Sequence, residues 1–412
     1  MPDQTKTMKT RRQSAYAFLV LLGVVSLFSD LTYEGARSII GPYLLLLGAS
    51  AATIGFVSGL GEFIGYGLRL VTGYISDRTG RYWLITIIGY AINVIAIPAL
   101  ALAPGFGWVY ACGLLLAERF GKAIRNPAKN TLASFAAQEV GPGKGFAIQE
   151  ALDQIGAFLG PVMLFVVLTV KGKEEKLPAY AFAFLLLGIP AVLTLAILLF
   201  ARKKYPRPHE FERAEAPKTA GDLKSAYWFY LAGIAFLALG FADFPLMAFH
   251  FVKTRLFADN VVPLLYAAAM GVDAASALFF GRMYDRKGLG AIIIASVISA
   301  FFAPLAFLVR APLAAVAGVL LWGIGLGAQE SILKAAVTTI VPKEKRGTAF
   351  GIFNAGFGAF WFLGSWAMGI LYGISRPALA AFSLAAQLVS IPFFFRTKRL
   401  LAPKAAEESP GK

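Results

Sequence analysis

Apolar residues in this chain run in long blocks separated by short polar breaks, from one end to the other. Each block reaches about 20 residues or more, the length an α-helix needs to cross a hydrocarbon core of ~30 Å. Lipid offers backbone polar groups no partner outside their own segment, so such blocks are expected to be helices. The strands of a membrane barrel would alternate apolar and polar residues over stretches of ~10, and that alternation is not seen. Twelve spans result, at 15–47, 51–76, 82–103, 108–134, 144–170, 178–201, 224–252, 260–283, 288–309, 312–341, 347–373 and 377–396.

Composition supports this pattern. The chain is 58% hydrophobic and 15% charged, with a mean hydropathy of +0.67, whereas a soluble domain is nearer 45–50% and about 25%. An all-α integral membrane protein follows. Lys6, Lys9, Arg11 and Arg12 precede a long first span with no small-residue cleavage site after it. A retained first helix is therefore expected rather than a signal peptide.

Charge adds an orientation. Most of the 39 Lys+Arg fall in breaks on the side that holds the N-terminus. The positive-inside rule then places both termini of a multi-pass cell-membrane protein in the cytoplasm. The net charge of +16 is accounted for by topology, and bases divided among short loops and tails do not make a nucleic-acid surface. Cys112 is the single cysteine, so no intramolecular disulfide can form. With only two histidines beside it, a soft metal lacks ligands, although carboxylates could still hold a harder cation. No cofactor and no resident metal are expected.

The polar breaks carry a repeat. Residues 73–81 read Gly-Tyr-Ile-Ser-Asp-Arg-Thr-Gly-Arg, and 281–288 read Gly-Arg-Met-Tyr-Asp-Arg-Lys-Gly. Their aspartates, Asp77 and Asp285, lie about half the chain apart. Three further correspondences share that spacing: Asp30 with Asp243, the Glu118/Lys122 pair with Glu330/Lys334, and Glu62 with Asp273. The longest polar stretch falls between the two sets. The expected organisation is therefore a six-helix bundle at 1–201, a cytoplasmic linker at 202–223, and a second six-helix bundle at 224–412, packed around a site at their interface.

The hairpin Gly73-x3-Asp77-Arg78-x-Gly80-Arg81 within 73–82 resembles signature motif A of the major facilitator superfamily. The degenerate copy, with Asp285 and Arg286, stands where that family carries its second. The resemblance covers essentially the whole chain. It implies a pseudo-symmetric pair of bundles and alternating access, with Asp77 and Arg81 as a latch against span 11. From the residues themselves, glycines at both ends suit a tight turn, Asp77 can accept bonds from a helix N-terminus, and Arg78 and Arg81 can bond carbonyls or carboxylates. Glu118-Arg119-Phe120-Gly121-Lys122 loosely resembles motif B, with Arg119 two positions before Gly121, which implies a part in proton relay. Gly156-x3-Gly160-Pro161 resembles motif C, associated with proton-coupled exporters, although Val162 and Met163 stand where glycines are usual. Small residues there also allow ordinary close helix packing.

A charge at mid-bilayer costs at least ~2.5–3.5 kcal/mol, so the acids and bases inside the spans must line a polar cavity or pair. Asp30 and Glu34 share one face at i, i+4. Two carboxylates that close disfavour simultaneous ionisation, which poises one for protonation and suits proton or cation coupling. Arg37, one turn on, offers a structural ion pair instead. Glu150 and Asp153 share another face and can meet Arg119, Lys122 and Arg125 of span 4 as a gate, a proton path or an anion site. Glu118–Lys122 and Glu330–Lys334 are expected to neutralise each other, or to release a lysine for an anion. On span 11, Phe357, Phe360, Trp361 and Phe362 could line an apolar cavity, and Asn354 is the better cavity candidate.

The chain has no Walker phosphate loop and no nucleophile–base–acid constellation, which sets aside ATP-driven transport and enzyme chemistry. The expected function is secondary transport by alternating access, with proton-coupled efflux of a small, partly apolar organic compound leading. Its expected partners are that substrate, protons or another coupling ion, and the bilayer around a monomer. A carrier of an organic anion or metal ion is the alternative within transport. A non-transporting receptor or scaffold is the alternative outside it.

Overall fold

The structure, a computed structural model, describes residues 2–140, 142–172, 175–208, 225–341 and 346–401. The described helices are α1 (Pro2–Leu46), α2 (Ala51–Thr79), α3 (Tyr82–Ala99), α4 (Ala103–Val140), α5 (Pro142–Lys171), α6 (Lys176–Lys204), α7 (Ser225–Leu239), α8 (Phe244–Lys253), α9 (Val261–Lys287), α10 (Gly290–Ala300), α11 (Phe302–Phe307), α12 (Pro312–Ala328), α13 (Lys334–Ile340), α14 (Arg346–Ile374) and α15 (Arg376–Leu401). No strand occurs among the described residues. Most of the expected linker, from 209 to 223, lies outside them.

Among the described residues, eleven stretches are long and apolar enough to cross a membrane. One of them, Tyr82–Ala137, has 56 residues, far beyond the ~20 that one crossing needs. It folds back on itself through a 3₁₀ turn at Leu100–Leu102 and Gly107, whose φ of 82° only glycine adopts cheaply. The chain therefore crosses twelve times, in two six-helix bundles. Spans 1 and 4 continue past the apolar block at the end that carries the N-terminus, as α1 and α4.

Three of the expected continuous spans are interrupted. Span 9 bends at Phe301 between α10 and α11. Span 10 contains one π-helical turn, Gln329–Leu333, between α12 and α13, a distortion that often marks functional positions. Span 7 is fully broken between α7 and α8. Free backbone groups in a membrane must be met by other parts of the protein, and here they are. Ser383 Oγ (2.6 Å) and Gln387 Nε2 (3.2 Å) of α15 donate to the Gly240 carbonyl. Trp322 Nε1 of α12 donates to the Ala242 carbonyl at 2.8 Å. Asp243 then caps α8, accepting from the Phe244 amide at 2.9 Å, with Pro245 in the first turn.

The bundles meet chiefly through α1 with α8, α2 with α14, and α5 with α9. Small residues set the closest approaches. A Cβ on Gly41 would lie 2.1 Å from the Pro245 carbonyl oxygen, and one on Gly55 2.3 Å from that of Ser365. Towards the far end, Lys176 pairs with Asp259 at 2.8 Å and Asn260 donates to Thr169 at 3.0 Å. These contacts join the bundles away from the N-terminal end and leave a space between them nearer to it.

Candidate functional site

That space is a cavity of about 440 Å³ lined from both bundles. Its walls are α1, α2, α4 and α5 on one side, and α9, the π turn with its flanks, and Trp361 of α14 on the other. The lining runs from mid-helix towards the N-terminal end on α4 and α5, so the cavity opens to that end. Among the described residues, seven acidic and seven basic side chains line it, which makes it a polar, charge-balanced chamber rather than an apolar one.

Its floor is an ion cluster. Arg37 of α1 bonds Asp243 of α8, and the same guanidinium lies 3.3 Å from Glu62 of α2 and 3.9 Å from Glu34. Arg119 of α4 pairs with Glu62 at 3.0 Å. Tyr266 of α9 donates to Glu34 Oε2 at 2.5 Å. Arg37 and Asp243 are almost fully buried, at 7% and 1% exposure. Buried charges are tolerable only with such partners, and here the partners come from opposite bundles.

Above the floor, α4 presents Lys122, Arg125 and Lys129 on one face. Lys122 Nζ stands 3.6 Å above the Tyr33 ring, a cation–π contact. Arg125 donates to Asn93 (2.7 Å) and Ser29 (2.9 Å), and Lys129 donates to Ser26. On the same side, Gln154 of α5 donates to Glu150 at 3.1 Å and, across the interface, to Asp273 of α9 at 3.4 Å.

Several expected pairings are replaced. Glu118 and Lys122 form no ion pair: Glu118 accepts from Asn93 Nδ2 at 2.6 Å and lies 3.8 Å from Arg119, while Lys122 turns to Tyr33. Glu330 and Lys334 form none either, although both line the cavity. The i, i+4 spacing permits those pairs, but tertiary partners compete for each side chain. Glu150 and Asp153 line the cavity without pairing to Arg119, Lys122 or Arg125, so the network expected between spans 4 and 5 is not formed in this state. Asp30 and Glu34 both line the cavity, and Arg37 does reach Glu34, though more loosely than its partners on other helices.

Of the aromatics expected on span 11, Trp361 lines the main cavity and Phe357 a small pocket beside it. Phe362 instead packs against Phe56 and Trp366, and Phe360 is exposed at the outer surface of the protein. Asn354 is not among the lining residues. Reasoning from sequence passed over Tyr33, Tyr266, Gln154 and Lys129. The i, i+3, i+7 recurrence of Lys122, Arg125 and Lys129 could have revealed the basic face of α4. A tyrosine or glutamine in an apolar helix carries no comparable signal.

Around the hairpin, Gly73 and Asp77 lie inside α2, and the turn itself is Gly80, whose φ of 64° closes the helix. Gly288 closes α9 with a φ of 54° in the second copy. Gly73 faces Pro127 of α4. Tyr82 Oη donates to Asp77 at 3.3 Å, and Arg78 donates to Tyr74 Oη at 3.1 Å. Asp77, Arg78, Arg81, Asp285 and Arg286 are all exposed at one end of the molecule. Gly156 and Gly160 pack on α1, where a Cβ on either would lie 2.2 Å from the Leu27 or Leu31 carbonyl oxygen.

The fold and this chamber define a transporter rather than an enzyme, and similarity to known proteins agrees. The model of the Major Facilitator Superfamily matches residues 22–365 and 257–411, and the chain belongs to that family. An uncharacterized protein of Mycobacterium bovis is 40% identical over 390 residues, covering 93% of each chain. An uncharacterized MFS-type transporter of Methanocaldococcus jannaschii is 26% identical over 369 residues, 86% of this chain and 88% of that one. Among solved structures, a mutant of the nucleoside transporter NupG superposes with a TM-score of 0.72 at 13% identity, over 92% of this chain and 100% of that one. That likeness is one of fold.

Proposed function

We propose that the chain is a proton-coupled secondary transporter of the cell membrane that exports a small polar organic molecule in exchange for protons. The observation that carries this reading is the charge-balanced chamber between two bundles that touch at one end and part at the other. Such a chamber suits alternating access, in which rocking of the bundles would expose the same site to each side in turn. The charge distribution favours the open end as the cytoplasmic one, with both termini there.

Coupling is assigned to Asp30 and Glu34. Both face the chamber beside Lys122, and Glu34 also meets Tyr266 of the other bundle. Protonation of Glu34 would change the balance of the floor cluster that joins the bundles, and Asp30 lies one turn from it on the same face. Export, as opposed to uptake, is supported by the likeness of Gly156-x3-Gly160-Pro161 to the exporter motif. Asp77 and Arg81 are proposed as a latch that closes the cytoplasmic end in the opposite state. The polar lining favours a polar solute over the partly apolar one expected from the sequence. A metal ion is less well supported, because no group of three or more candidate ligands occurs among the described residues.

Purified protein in liposomes with an imposed pH gradient tests the reading. Substrate-dependent proton movement with opposed tracer flux is expected. Flux that ignores the gradient would remove the coupling, and co-directional movement would remove exchange.

A further inference from the structure

The charges of the chamber are balanced in number, and many of them have no oppositely charged partner among the described residues. Arg37, Arg119, Glu34 and Glu62 are consumed by the floor cluster. The remaining lining bases, Arg69, Lys122, Arg125, Lys129 and Lys334, have no carboxylate in ion-pair contact among the described residues. The remaining lining acids, Asp30, Glu150, Asp153, Asp273 and Glu330, likewise have no base in contact.

Three of those bases form a ladder on one helix of the first bundle. Lys122, Arg125 and Lys129 recur at i, i+3 and i+7, and lie on one face of α4. They are held by neutral partners, Tyr33, Asn93, Ser29 and Ser26, which position a cation without cancelling it. The second bundle supplies Asp273 and Glu330, with Lys334 one turn beyond Glu330. Asp273 is 2% exposed and lines the chamber, yet its Oδ1 finds no hydrogen-bond partner within the protein and its Oδ2 has only the amide of Gln154 at 3.4 Å. A buried carboxylate so thinly satisfied is costly unless a donor or cation reaches it.

We propose that the chamber takes a small zwitterion, its anionic group on Lys122, Arg125 and Lys129, and its cationic group on Asp273 and Glu330. This rests on the reading of the chamber as the transport site and names the class of solute it accepts. The charge balance decides between solutes. A zwitterion enters seven acids and seven bases without adding net charge to a low-dielectric space. A simple anion or cation would bring a net charge into it. A volume of about 440 Å³ suits a metabolite of modest size. Because the two poles sit on different bundles, a bound zwitterion also bridges them and favours their closure around it, which an anion held by α4 alone does not do.

Thermal shift of the purified protein in detergent separates the cases. The probes are the common α-amino acids, trimethylglycine and δ-aminovalerate as zwitterions, valerate as the matched anion, and pentylamine as the matched cation. At least one zwitterion should stabilise the protein where valerate and pentylamine at equal concentration do not. Lys122→Gln and Asp273→Asn should each weaken that zwitterion roughly tenfold or more, the scale of one charge-assisted hydrogen bond. Glu330→Gln serves as a second acidic variant should Asp273→Asn fold poorly. Stabilisation by valerate or pentylamine alone, or by no zwitterion, would overturn the proposal. Counterflow in proteoliposomes keeps the two readings apart. An anion that accumulates would sink the zwitterion and leave transport standing. A zwitterion that binds yet never crosses would sink the transport site and leave the binding.

Discussion

Arg37 and Asp243 lie 206 residues apart in sequence and in direct contact in space, one on each bundle. Asp243 has two roles there, as counter-ion to the guanidinium and as N-cap of α8. Removing one member of a buried ion pair costs about 3–5 kcal/mol. Asp243→Ala should therefore destabilise strongly and abolish transport. Asp243→Asn keeps the cap, since asparagine caps helices as well as aspartate, and should lose less stability while still impairing function. Melting curves and flux for the two variants check this; equal losses would mean that the charge alone matters and the cap contributes nothing.

Asp30 should carry coupling rather than architecture, because it lines the chamber without an ion pair. Asp30→Asn is expected to fold normally, to keep substrate exchange at equal pH, and to lose pH-driven flux. Gradient-driven flux at the parental rate in this variant would take Asp30 out of the mechanism.

Cys112 is buried, and its replacement by alanine gives a background for reporter thiols. In that background Asn126→Cys, on the chamber wall, should react with a membrane-impermeant thiol reagent added on the side of the N-terminus. Reaction only from the opposite side would reverse the proposed orientation or the resting state.

Gly160 meets backbone rather than a flexible side chain, with the Leu31 carbonyl oxygen 2.2 Å from where its Cβ would stand. Gly160→Leu should push α5 from α1 and cost at least the ~1–3 kcal/mol typical of overpacking. Thermal denaturation checks it.

Lys176→Ala is the contrasting case. Its side chain is 54% exposed, and the pair with Asp259 sits where ion pairs contribute about 0–1 kcal/mol. Stability should change little, and a large loss of flux would promote this contact to a true outer gate.

The crossings, their approximate limits and the presence of an interior set of charges were legible in the sequence, because hydropathy and the cost of buried charge act locally. The partners were not. Glu118 and Lys122 stand at a spacing that permits a pair, but Asn93 and Tyr33, from other helices, win each of them. The break in span 7 was hidden too. Gly240-Phe241-Ala242-Asp243 contains nothing that forbids a helix, and the interruption is sustained by Ser383, Gln387 and Trp322 from distant parts of the chain.

That break has a consequence for how the protein must move. The bundles are near copies, yet only the second has a joint in its first crossing, while α1 runs through without interruption. α8 lies against α1 and α2 of the opposite bundle, and α7 lies against α14 and α15 of its own. One crossing is thus shared between the two rigid halves, with four residues between its loyalties. The two ends of the pore need not open by mirror-image motions. One can widen as whole bundles tilt, and the other can admit solute through the bending of a ten-residue flap.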